Sequence, residues 1–322
     1  MFQKLIERCE SSELLTPEEA ILILHDDLQG EELNRVYAEA DRRTRKYWKN
    51  RGRIWTAIGV DSAPCARNCK FCSLGAEWGV YKEPHELTID EVLRHVRMMI
   101  PYTPDWVTLR TTQCYGIDKL CLLVREIRKI TTPEMGIVVN TGEFDYDEAM
   151  KLKEAGTDVA YHTIRLREGY DTGLSVEDRI KTLKAMQKAG LKMAALVEPL
   201  GPEHADKEIV DAAFRLKPYD IKLGGVMARV PVLGTPLYKW GQVSEERQTR
   251  VIALTRLIYG PEVDAICIHP PIPAALKAGA NTVVVECGAI PRDQDTADTL
   301  WRGFSIPAAN QLFCEQGFNN PT

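Results

Sequence analysis

From about residue 51 the chain alternates short apolar runs with longer amphipathic stretches. Eight runs read as strands: 54–61 (IWTAIGVD), 106–112 (WVTLRTT), 135–141 (MGIVVNT), 158–164 (DVAYHTI), 192–198 (KMAALVE), 220–227 (DIKLGGVM), 263–269 (VDAICIH) and 282–287 (TVVVEC). Their length and their content of β-branched residues favour strand over buried helix. Helical periodicity lies between them. In LTIDEVLRHVRMMI, Ile89, Val92, Leu93, Val96 and Ile100 form one face behind a capping box of Thr88 and Glu91. In SVEDRIKTLKAMQKAG, Val176, Ile180, Leu183 and Met186 repeat the pattern. The stretches LKEAGTDVAY, MQKAGLKMAA and LKAGANTVVV resemble one another, each with a glycine (Gly156, Gly190, Gly279) suited to a left-handed helix exit before the next strand. This is weak repetition of a βα unit.

The first 50 residues are helical in pattern, with Thr16 as N-cap, Pro17 at the first helical position and Glu19 completing a capping box. The tail, FSIPAANQLFCEQGFNN, reads as a closing helix capped by Ser305. The expected fold is therefore α/β: a (β/α)8 TIM-type barrel over 51–322, with an N-terminal helical extension over 1–50 and a C-terminal closing helix. A doubly wound open sheet is the competing arrangement.

Composition narrows the function. The 322 residues are 44% hydrophobic and carry a formal net charge of −5, which is no electrostatic footprint for nucleic acid or an anionic membrane. No apolar run approaches the roughly 18 to 20 residues of a spanning helix. The opening MFQKLIERCESS has no apolar signal-peptide core, so a cytoplasmic protein is expected. In that compartment nine cysteines point to metal or redox chemistry more than to disulfides.

Three of the nine stand in one short stretch, DSAPCARNCKFCSLGAEWG: Cys65, Cys69 and Cys72, just after the first strand. A barrel builds its active site from such loops. A structural zinc takes four ligands, usually as two pairs, and no second pair stands nearby. Three thiolates suit a cubane [4Fe–4S] cluster that keeps one iron open to a small molecule. Zinc completed by a distant residue, or three incidental cysteines, are the alternatives.

CARNCKFC, with Phe71 as the aromatic before the last cysteine, resembles the CxxxCxΦC motif of the radical S-adenosylmethionine (SAM) superfamily. The N-terminal helices, the barrel spacing and LGTPL at 233–237 further resemble its biotin synthase-like group, over roughly residues 15 to 305. That group includes biotin synthase, the iron–iron hydrogenase maturase, methylornithine synthase and the two-protein lipoyl synthases. The resemblance implies that the open iron chelates the methionine moiety of SAM and that one electron cleaves it to a 5′-deoxyadenosyl radical. It implies ferredoxin or flavodoxin as electron donor, and for the lipoyl type a partner radical SAM protein.

Charged side chains at strand ends are costly unless paired or functional. Glu143, Arg165, Arg167, Glu168, Glu198, Arg229 and His269 all fall there. A zwitterionic head group needs a carboxylate and a guanidinium, and the resemblance assigns Glu143 and Arg165 to the amine and carboxylate of SAM. An internal ion pair is the plainer alternative. By the same resemblance Thr111 or Thr112 would donate to the SAM head group, and Val197 would pass the adenine. Glu198 departs from the group's glycines and suggests a substrate contact.

Cys9, Cys121 and Cys314 read as core residues. Cys114, Cys267 and Cys287 fall near the ends of strands two, seven and eight, which are close in a closed barrel, and are candidates for an auxiliary iron–sulfur cluster. Such a cluster would supply sulfur for insertion at an unactivated C–H bond, as in lipoyl synthases. Without it, a radical rearrangement or metal-cofactor maturation on a small-molecule or carrier-bound substrate is the alternative. A metal-stabilised binding barrel is the remote one.

Overall fold

The computed structural model describes residues 2–11, 13–260, 262–288 and 303–320. Eight parallel strands close on themselves: β1 (Arg53–Gly59), β2 (Trp106–Arg110), β3 (Gly136–Asn140), β4 (Val159–Tyr161), β5 in two segments (Lys192–Ala194 and Val197–Leu200), β6 (Ile221–Ala228), β7 (Ala265–His269) and β8 (Thr282–Gly288). Each pairs with its neighbours in sequence, and β8 returns to β1 with Arg53 beside Thr282. The closed barrel rather than the open sheet is thus what forms.

Strand alternation divides the apolar side chains into two cores. Trp55, Val138, Val159, Leu196, Leu223 and Ala265 point into the barrel. Ile54, Ile58, Leu109, Val139, Val226 and Val283 point out to the helical layer. That layer comprises α4 (Ile89–Met99), α5 (Ile117–Arg128), α6 (Tyr146–Ala155), α7 (Val176–Ala189), α8 (Asp206–Leu216) and α9 (Glu245–Tyr259). The capping box expected at Thr88 forms, and Gly156 and Gly190 take the left-handed exits expected of them.

One expected helix is missing. Between β7 and β8 lies only a 3₁₀ turn, Ala274–Lys277, and Gly279 (φ +107°) follows that turn rather than an α-helix. The N-terminal extension covers this place. It consists of α1 (Phe2–Glu10), α2 (Pro17–Leu24, with its Thr16–Glu19 capping box) and α3 (Gly30–Tyr47). The hydroxyl of Thr44 on α3 donates to the Gly279 carbonyl at 2.7 Å. The closing helix, Ile306–Glu315, is capped by Ser305 and buries Phe313 against Gly52 at the foot of β1.

Candidate active site

The loop from β1 to α4 carries the three clustered cysteines. Its ends are tied by antiparallel pairing of Asp61–Ser62 with His85–Glu86, and Ser62 and Tyr81 share a buried 2.6 Å hydrogen bond. Within it the Asn68 side-chain amide donates to Glu77 at 2.8 Å and its carbonyl accepts from the Glu77 backbone at 3.0 Å. The Trp78 indole N–H donates to the Cys69 carbonyl at 3.1 Å. A second loop, after β4, grips the first: the Lys70 N–H donates to the Asp171 carbonyl (2.8 Å), and the Gly173 N–H to the Arg67 carbonyl (2.9 Å). Lys70 Nζ also lies 3.2 Å from the Asp171 carboxylate.

So held, Cys65, Cys69 and Cys72 line one side of a cavity of about 230 Å³ at the C-terminal mouth of the barrel. Phe71, Thr111, Thr112 and Arg165 share its walls. Burial raises the pKa of Cys65, and pushes that of Cys69 up to about 11 against the lowering influence of Arg165. Binding iron would therefore release protons from these thiols. Among the described residues no three His, Cys, Asp or Glu side chains gather as ligands of a single ion. Thiolates bound to separate irons of a cubane need not gather so closely. The donor set is sulfur-only, comes from one ordered loop and faces an open cavity, which fits a [4Fe–4S] cluster with a free iron. Arg165 Nη1 is buried without a hydrogen bond beside this cavity, which fits an anionic group such as the SAM carboxylate.

Of the other expected SAM contacts, Thr111 and Thr112 stand on the walls of this cavity. Glu143 is outside the thiol cavity. Its carboxylate accepts from the Gln113 side-chain amide and lies 3.1 Å from Arg179 Nη1. The Thr112 hydroxyl and N–H both donate to Asp61, the latter at 2.7 Å, while the Thr111 hydroxyl faces the Asn140 carbonyl at 3.3 Å. Val197 points outward into the helical core. Glu198, its neighbour, points inward and accepts from the Tyr161 hydroxyl. Arg167 turns away to Glu208 at 2.7 Å, and Arg229 pairs with Glu203.

Below the thiol cavity lies a second one, of about 180 Å³, inside the lumen. Arg110, Tyr161, Arg165, Glu198, His269 and Glu286 bring polar groups to its walls, and Phe71 and Arg165 border both cavities. Arg110 Nη1 lies 3.4 Å from Glu286 Oε1, and His269 Nε2 lies 3.5 Å from Glu286 Oε2. Burial opposes the charge of Arg165, but Glu168 and Glu198 hold its pKa up. Burial raises the pKa of Glu198, with Arg165 and Tyr161 working against it.

The three remaining candidate thiols do not meet. Cys267 belongs to the lumen core and Cys287 to the outer core, while Cys114 is exposed. Strand parity explains the separation: Cys267 shares a face with inward His269, whereas Cys287 follows inward Glu286. Desolvation pushes the Cys287 thiol up to about 12. The sequence reading missed Asp61, Gln113 and Arg179. Arg179 had a visible signal, a charge on the buried-face side of α7.

Residues 62–216 match the profile of the radical SAM superfamily. The chain is 25% identical over 301 residues to the biotin synthase of Pelotomaculum thermopropionicum, covering 88% of this chain and 92% of that protein. It is 28% identical over 262 residues to the biotin synthase of Acetivibrio thermocellus, covering 78% and 79%. Its fold is similar to that of methylornithine synthase (PylB), with a TM-score of 0.79 at 18% identity over 99% of this chain and 97% of that one. For HydG, a maturase of the FeFe-hydrogenase, the TM-score is 0.78 at 19% identity over 98% and 75%.

Proposed function

We propose, from the match of residues 62–216 to the radical SAM superfamily and the similarity to biotin synthases, that this chain is a radical SAM enzyme of the biotin synthase-like group, that it abstracts hydrogen from a small polar substrate held in the barrel lumen and that it acts without donating sulfur, as a rearrangement or cofactor-maturation enzyme. Cys65, Cys69 and Cys72 would hold a [4Fe–4S] cluster, which when bound would supply the electron for cleavage of SAM. Around it, this chain's residues bind and exclude. Arg165 offers its unsatisfied Nη1 to a carboxylate, and Phe71 separates the thiol cavity from the lumen while bordering both. The walls keep water from the reacting carbon, which a primary alkyl radical requires.

The observation that carries this reading is the charged lumen: Arg110, Arg165, Glu198 and Glu286 line one small cavity, which suits a polar substrate and opposes a hydrocarbon chain. The scattering of Cys114, Cys267 and Cys287 supports the absence of sulfur donation. A one-electron donor of the ferredoxin or flavodoxin kind completes the system.

A second reading, sulfur insertion of the biotin or lipoyl synthase type, draws on the curated relatives, which are biotin synthases. It requires a second cluster as sulfur source, and iron and sulfide analysis separates the two. After anaerobic reconstitution we expect about four irons per chain, falling to none in the Cys65/Cys69/Cys72→Ala variant. About eight falling to four would favour sulfur insertion. Dithionite-reduced protein given SAM should form 5′-deoxyadenosine; its absence would overturn both readings.

A further inference from the structure

We propose that Asp61 receives the ammonium group of SAM in the thiol cavity, the role that resemblance led us to expect of Glu143. This rests on the reading of the chain as a radical SAM enzyme and adds a head-group residue to it.

Glu143 is not placed for that role, since it lies outside the thiol cavity and faces Arg179 at 3.1 Å. Among the described residues that line the cavity, Asp61 is the only carboxylate. It opens the loop that carries the thiols, four positions before Cys65. An amino acid head group that reaches an open iron has to lie beside those thiols, whereas the ribose and adenine do not.

The backbone fixes the direction of this side chain. Asp61–Ser62 pairs with His85–Glu86, and the Val60 N–H donates to the Arg110 carbonyl at 2.8 Å. Successive residues of an extended segment face opposite ways. Ser62 turns to the Tyr81 hydroxyl inside the loop, and Asp61 turns to the cavity. One of its carboxylate oxygens accepts from the Thr112 N–H at 2.7 Å, and the other accepts from the Thr112 hydroxyl. An ionised carboxylate offers about four acceptor positions, so about two remain.

No cation of the protein fills them. Among the described residues no ion pair reaches Asp61, and its neighbours Glu86 and Lys119 pair with one another. Burial raises the Asp61 pKa, with the two bonds from Thr112 working against it. A half-buried carboxylate held in place, with acceptor positions to spare and no counter-charge, favours a ligand that brings one. An ammonium, with three donors and a full charge, is such a group.

The test measures binding to reconstituted holoenzyme without reductant, so that nothing turns over. Four ligands are compared on wild type and Asp61→Asn: SAM, S-adenosylhomocysteine, decarboxylated SAM and 5′-methylthioadenosine. The first three carry the ammonium. S-adenosylhomocysteine lacks the sulfonium charge, decarboxylated SAM lacks the carboxylate, and methylthioadenosine lacks the whole head group but keeps the ribose and adenine. Asp61→Asn should weaken the first three by about tenfold or more and leave methylthioadenosine within about twofold. Unchanged methylthioadenosine binding and iron content then show that the cavity is intact. Undiminished binding of S-adenosylhomocysteine would place the sulfonium at Asp61 instead, and would overturn the proposal. Equal weakening of all four ligands, loss of iron, or unchanged SAM binding would overturn it as well. Formation of 5′-deoxyadenosine by reduced wild type isolates the failure: if it occurs, the assignment of Asp61 alone is wrong; if it does not, the radical SAM reading fails too.

Discussion

Arg179 Nε lies 3.3 Å from Glu168 Oε2, and both side chains are almost fully buried. The same guanidinium reaches Glu143 at 3.1 Å. Glu168 in turn accepts from the Arg165 backbone N–H at 3.0 Å and from the Thr172 hydroxyl. Thr172 stands between Asp171 and Gly173, the residues that hold the cysteine loop. One arginine from a helix outside the barrel therefore ties together Arg165 and the loop that carries the thiols.

Removing that arginine should be severe. Burial pushes the Arg179 pKa down to about 10, so it remains charged at neutral pH. Arg179→Gln would leave two carboxylates uncompensated and should cost about 3–5 kcal/mol of stability. Arg179→Lys keeps the charge but loses the fork, and should raise KM for SAM more than it lowers kcat. Denaturant titration and steady-state 5′-deoxyadenosine formation measure the two effects. A glutamine variant as stable as wild type would remove Arg179 from this role.

The thiols should divide cleanly. Single Cys65, Cys69 or Cys72→Ala variants should each lose the iron–sulfur absorption of reconstituted protein. Cys114, Cys267 and Cys287→Ala should keep it, since these residues are distributed over the surface, the lumen core and the outer core. Retention of full iron by Cys69→Ala would refute the assignment of the loop.

Gly173 tests the grip between the two loops. A Cβ there would sit 2.3 Å from the Arg67 carbonyl oxygen, which is backbone and cannot swing aside. Gly173→Ala should shift the cysteine loop, cost about 1–3 kcal/mol and speed iron loss to a chelator. Gly116→Ala, where a Cβ meets nothing within 4 Å, is the control. Equal iron loss in the two variants would show that the contact does not matter.

Acid should weaken the fold through two histidines. Burial lowers the pKa of His162 well below its ordinary 6.5, helped by Arg179 and Arg165, and burial lowers that of His204. As pH falls through 6.5 the unfolded chain binds protons that the folded chain does not, so stability declines. Each histidine contributes a slope of up to about 1.4 kcal/mol per pH unit. Denaturant titrations from pH 7.5 to 5 should show His162→Gln with a shallower slope than wild type. An unchanged slope would mean that His162 is protonated in the folded protein.

Most of the architecture was legible in residue order. All eight expected strands form, because apolar runs of that length bury both faces in a closed parallel sheet. Thr16, Thr88, Gly156, Gly190 and Ser305 act as expected because caps and left-handed exits depend on residues within a single helical turn. The absence of a helix after β7 was not legible. LKAGANTVVV resembles the other helix exits, but α3, more than 200 positions earlier, occupies the outer layer there.

By itself, the sequence determined the barrel and the loop that brings three thiols to its mouth, since period, capping and motif spacing are local properties of the chain. Only the tertiary structure decided which charges meet. Glu143 turned to Arg179, Arg167 left the lumen for Glu208, and Cys267 and Cys287 parted to opposite faces. Such partners are brought together by closure of the sheet and the inward or outward parity of each strand, which depend on every other strand at once.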